Sequence, residues 1–113
     1  MIGQAFDPKH PETIDLSLDP RYRELTNVMG RAYDQATQGK GAERHAQGLA
    51  FTDQPMQVIQ GLVGPGFALG QAIKKVQEAS RMPTDRAVHE LLGAINYIAG
   101  AIVYLERNIE VVE

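Results

Sequence analysis

Between Val88 and Leu105 the chain sets Val88, Leu91, Leu92, Ile95, Ile98, Ala99, Ile102 and Leu105 in an apolar stripe. The stripe follows the period of about 3.6 residues that only an α-helix has. It predicts a long helix over 84–107, and a stripe this continuous has to be covered. With 113 residues, 43% of them hydrophobic, the chain has enough material for one core. A domain of this size buries roughly two thirds of the surface its unfolded chain exposes, so that core is thin and partner subunits are expected to contribute to it.

No stretch alternates with a period of two over a useful length, so the fold class is all-α. Residues 1–18, with Pro8 and Pro11 and few apolar side chains, read as an extended N-terminal arm, and 19–113 as a single helical domain. Asp19-Pro20 is a cap followed by proline at the first helical position, and Leu25, Val28, Met29, Ala32 and Ala36 recur at helical spacing. This predicts a first helix over 20–37, stopped by Gln38-Gly39-Lys40-Gly41. The stretch from Ala42 to Thr52 has no clear period. Asp53-Gln54-Pro55 then opens a short second helix over 54–62, with Met56, Ile59, Leu62 and Val63 apolar, and Gly64-Pro65-Gly66 closes it. A third helix over 67–81 carries Leu69, Ala72, Ile73, Val76 and Ser80 on one side and Gln71, Lys74, Lys75 and Glu78 toward the other. Met82-Pro83-Thr84-Asp85 breaks the chain and caps the fourth helix, which pairs with the third as an antiparallel hairpin.

Composition removes several functional classes. Without cysteine there is no disulfide scaffold, thiolate nucleophile or thiolate zinc site. A formal charge of −3 speaks against a duplex nucleic-acid binder, which needs a basic face. The opening residues lack a basic region followed by an apolar run, and Leu91–Leu105 is about 15 residues, short of the roughly 20 that span a bilayer. No membrane partner and a cytoplasmic location are expected. The histidines at 10, 45 and 89 lack zinc-ligand spacing, and Ser17 and Ser80 sit in no nucleophile elbow.

The second face of the fourth helix carries the chemistry. His89, Gly93, Asn96 and Gly100 share it, with Glu90, Tyr97 and Tyr104 beside them. A glycine inside a helix costs about 1 kcal/mol relative to alanine, so the groove needs a compensating contact. Two occupants fit, a neighbouring helix or a ligand, and self-association through the Gly93/Gly100 face is expected under the first. Gln71, Lys74, Lys75 and Glu78 on the third helix form a second polar group. Behind the glycine turn at 64–66, that helix also starts with free backbone N–H groups that attract anions. Lys40, Arg44 and His45 add cations on a glycine-rich segment. Neither GxxxxGK[ST] nor GxGxxG occurs, so a phosphate site here would be assembled from separate elements.

The segments Gly39-Lys40-Gly41-Ala42-Glu43-Arg44-His45, Gln54-Pro55, Phe67-Ala68-Leu69-Gly70-Gln71-Ala72-Ile73-Lys74-Lys75 and Glu90-Leu91-Leu92-Gly93-Ala94-Ile95-Asn96-Tyr97 together resemble small helical proteins of tailed bacteriophages. They are similar to the MazG-like and dATP/dGTP diphosphohydrolase N-terminal families. The Phe67–Lys74 stretch also looks like a phage domain associated with deoxynucleotide kinase activity. The all-α pyrophosphohydrolases use EExxE on one helix and ExxD on the next. The matching places here read Lys74-Lys75-Val76-Gln77-Glu78 and Glu90-Leu91-Leu92-Gly93, with one acid left from each motif. The resemblance therefore implies an oligomeric nucleotide-binding protein without turnover and without a cofactor. A host immune signal, such as a cyclic nucleotide or an ADP-ribose derivative, would be its sequestered ligand. In that role Lys40, Arg44, Lys74 and Lys75 contact phosphates, Tyr97 or Tyr104 stacks on a base, and Gln71, His89 and Asn96 donate or accept hydrogen bonds, with His45 and Glu78 nearby. Two alternatives stay open. One is a Mg²⁺-dependent nucleoside triphosphate pyrophosphohydrolase using Glu78 and Glu90, with Glu43 as a further acid; the other is a protein-interaction module.

Overall fold

A computed structural model describes residues 19–108, apart from the Lys40 side chain. The arm expected at 1–18 lies outside the described residues. Every regular element among the described residues is helical, in keeping with the all-α expectation. The chain divides into two units between Arg31 and Ala32, a point that falls within the first long helix.

In the first unit the Asp19 carboxylate accepts the Arg21 backbone N–H at 2.9 Å, and Pro20–Tyr22 forms a 3-10 turn that leads into α1, Arg23–Thr37. This is the proline-opened start that the sequence predicts. The Arg21 guanidinium, hydrogen-bonded to Asp19 at 2.8 Å, holds that carboxyl below the usual carboxylate range. Leu25 and Met29, two of the apolar residues at helical spacing, are exposed.

The second unit begins with the buried Ala32. After α1, Gly39 takes φ +77°, and a single turn, α2 (Gly39–Gly41), continues into a π-helical turn over Ala42–Ala46. Gln47 and Gly48 close that turn with φ of 52° and 74°. A π turn does not follow the 3.6-residue period, and Glu43, Arg44 and His45 on it are exposed, so the segment leaves no apolar pattern to read. A 3-10 turn, Phe51–Asp53, precedes α3, Pro55–Val63. Gly64, at φ 87°, ends α3, and α4 follows over Gly66–Ala79. The longest helix, α5, runs from Thr84 to Arg107.

The turn between α4 and α5 is short, and the two helices pair antiparallel. Phe67 near the start of α4 meets Tyr97 late in α5, whereas Lys75 further along α4 meets Glu90 early in α5. The expected hairpin is therefore present, but each helix is rotated, so that of the expected apolar stripes only Ala72 on α4 and Leu92 on α5 are buried. On α4 the buried positions are Ala68, Ala72 and Ala79, while Leu69, Ile73 and Val76 are exposed. On α5 the buried positions are Leu92, Ala94, Gly100 and Ala101, while Leu91, Ile98, Ile102 and Leu105 stand out of the core. Small residues let the backbones approach closely, and that contact competes successfully with burial of the larger stripe. On length and apolar composition alone, α5 is also the one helix among the described residues able to cross a membrane, because the flanks beyond Leu91–Leu105 extend it.

Candidate functional site

At its Gly100 end the groove is covered by another helix of the same chain, α3, one of the occupants expected for it. A Cβ at Gly100 would collide with the end of the Met56 side chain. Beneath that point, the Gly100 carbonyl accepts N–H bonds from Gln57 Nε2 at 3.1 Å and Gln60 Nε2 at 3.2 Å. Gln60 is completely buried, and its Oε1 has no partner among the described residues. This amide pair left no trace in the hydrophobic pattern, since both residues sit in a short helix otherwise read from Met56, Ile59 and Leu62. Gly100 is thus a packing position within the chain.

Gly93 is different. Its missing side chain makes room for the Lys75 stem, whose Cδ and Cε would lie 3.2 Å from a Cβ there, and for Gln35 Oε1 at 3.3 Å. The Lys75 ammonium donates to Glu90 Oε1 at 3.3 Å and lies 5.9 Å from the centre of the Tyr97 ring. That ring is held edge-on by Phe67, with centroids 6.3 Å apart and planes at 80°. On the other side of Gly93, Gln35 Nε2 donates to the His89 carbonyl and also meets His89 Nδ1, each at 3.1 Å. An Nδ1 that accepts leaves His89 Nε2 as the N–H donor, on an exposed ring. Asn96 Nδ2 donates to the Ala32 carbonyl at 3.0 Å, which ties α5 to α1 within the second unit.

Of the residues predicted to bind a ligand, the structure therefore brings Lys75, His89, Asn96 and Tyr97 around Gly93. Asn96 is committed to a backbone carbonyl, and its role there is structural. Gln71 and Glu78 are half-buried on the inward side of α4, whereas Lys74 is exposed. Arg44 and His45 project from the π turn; the Lys40 side chain lies outside the described set. Tyr104 sits apart, toward the end of α5, where it lines a cavity of about 380 Å³ with Thr52, Asp53, Gln57 and Arg107. Arg107 there donates to the Thr52 carbonyl at 2.6 Å.

Gln35 and Phe67 are the contributors that sequence reasoning missed. Gln35 belongs to a helix far away in sequence, and Phe67 reads simply as a residue after a glycine turn. The acids expected to hold Mg²⁺ do not gather: among the described residues no group of three or more His, Asp or Glu side chains converges on a common point. Glu90 is instead the partner of Lys75. The exposure of the two side chains, 27% for Lys75 and 20% for Glu90, leaves the pair reachable from solvent. Neither a family model nor a curated protein nor a solved structure matches the chain.

Proposed function

We propose that the protein binds an anionic, nucleotide-like small molecule at the Gly93 cluster and holds it without turnover. The observation that carries this reading is an ammonium beside an aromatic ring on one side of a position that lacks a side chain, with an imidazole on the other side. Lys75, Tyr97 and His89 supply them, and the Gln35 amide fixes the imidazole. These are the groups that phosphate and base recognition needs: charge-assisted donors for the oxygens and a ring for stacking. Lys75 has three N–H donors and gives one to Glu90, so two are left for a phosphate. Exposed Lys74 lies one residue away on α4 and adds to the local positive field. The proposed ligand class includes cyclic nucleotides and ADP-ribose derivatives, sequestered in the host cytoplasm if the chain is phage-encoded.

Titration calorimetry against mono-, cyclic, triphosphate and ADP-ribosyl nucleotides tests this. Lys75→Met keeps the stem over Gly93 and removes the charge; the expected loss is about 10- to 100-fold in affinity, as for one charge-assisted hydrogen bond. Glu90→Gln removes a negative charge beside the phosphate and is expected to tighten binding. No heat with any nucleotide overturns the proposal. Pyrophosphate release from a triphosphate, abolished by Glu78→Gln or Glu90→Gln, would overturn the absence of turnover and favour the Mg²⁺-dependent reading.

A further inference from the structure

The exposed side of α5 has an order that burial among the described residues does not account for. Val88, Leu91, Ile95, Ile98, Ile102 and Leu105 alternate steps of three and four residues, the a and d spacing of a heptad repeat. β-Branched residues stand at a (Val88, Ile95, Ile102), and Leu91, Ile98 and Leu105 stand at d. Four of the six remain 42–52% exposed: Leu91, Ile98, Ile102 and Leu105. Gly93 and Gly100 fall at the opposite f position of the same repeat, which is the side of α5 already packed against its own chain. The positions flanking the seam are Ala87, Ala94, Ala101, Leu92 and Ala99, with Glu106 as the one charge at its end.

We propose that a second copy of this chain covers this seam, α5 against α5. A second helix meshes with such a seam, because knobs at alternating steps of three and four fit the holes of a facing helix. That helix has to be apolar and narrow-flanked, because the seam offers no charge to pair with, and α5 itself is such a helix. A two-fold contact needs a self-complementary surface, which this uncharged stripe is. The seam is about 26 Å long and about 10 Å wide, on the order of 260 Å² per copy. A standard interface takes about 800 Å² per partner, so the association is of the weak class and depends on concentration. A free coiled coil needs more than these heptads, but α5 is already held as a helix by α4, and the ordering cost is largely met before the copies meet.

Sedimentation velocity of the full chain at about 5 and about 500 µM brackets a micromolar equilibrium. The weight-average mass is expected to rise from that of one chain, 12.4 kDa, toward twice that value. Ile98→Glu is expected to keep the single-chain mass at both concentrations with unchanged far-ultraviolet circular dichroism. Ile73→Glu, on the exposed stripe of α4, is expected to associate as the parent does. Should Ile98→Glu lose helicity, the uncharged double variant Leu91→Ser/Ile98→Ser takes its place. A single-chain mass at the higher concentration overturns the proposal, as does a dimer indifferent to both seam variants. Co-sedimentation of single chains with phosphatidylcholine–phosphatidylglycerol vesicles would also overturn it, since a bilayer would then be the occupant.

Discussion

Gly93 and Gly100 stand about two turns apart on one face of α5 and look equivalent in the sequence. Their surroundings separate them. At Gly93 a Cβ meets the flexible Lys75 stem and the Gln35 amide, which can yield by a few tenths of an ångström. At Gly100 it meets the Cε and Sδ of Met56 at closer range, so the flexible end of that side chain has to turn aside. Alanine gains about 1 kcal/mol of helix propensity at either site, and displacing the Met56 end offsets part of that gain at Gly100. Gly93→Ala is therefore expected to leave the urea midpoint unchanged or raised, and Gly100→Ala to give the lower midpoint of the two. Equal effects at the two positions would contradict the packing described here. The same contrast marks what was legible at this scale. His89, Gly93, Asn96 and Tyr97 could be placed together from spacing along one helix. Gln35 could not, because its contact with His89 joins residues far apart in sequence, and no local pattern encodes it.

At the scale of elements, the order and ends of the helices were largely readable. Proline and glycine act locally: Pro20 and Pro55 open helical segments, and Gly64 stops α3. Which face of a helix turns inward is a property of two surfaces, and there the hydrophobic pattern misleads. The stripe of large side chains predicted the core side of α4 and α5, but the alanine and glycine sides meet and the large side chains stay outside. A direct consequence concerns adjacent residues on α5. Ala101 is buried, whereas Ile102 is half exposed. Ala101→Leu adds bulk to a close helix contact and is expected to cost about 1–3 kcal/mol. Ile102→Ala gives up only half of a side chain's burial and gains helix propensity, so its expected cost is under about 1 kcal/mol. Urea unfolding at low protein concentration compares the two. A larger loss for Ile102→Ala would mean that the large stripe is the true core face.

For the molecule as a whole, the described core is built from small residues, Leu92 and a buried glutamine pair, with much of the large apolar surface turned outward. Such a core gains little from hydrophobic burial, which is the thinness the chain's length already implied. A formal charge of −3 also conceals how the charges are distributed, since the acid nearest the Gly93 cluster is tied to Lys75. If a nucleotide-like anion binds at this cluster, titration of the ¹⁵N-labelled protein with such a nucleotide, followed by amide chemical shifts, reads it out. Saturable shifts are expected, centred on Gly93, the Gln35 side-chain amide and the residues around Lys75 and Tyr97, all lost in Lys75→Met. Shifts confined to the Tyr104 cavity or the π turn at 42–46, or none at saturating nucleotide, would contradict binding at the cluster.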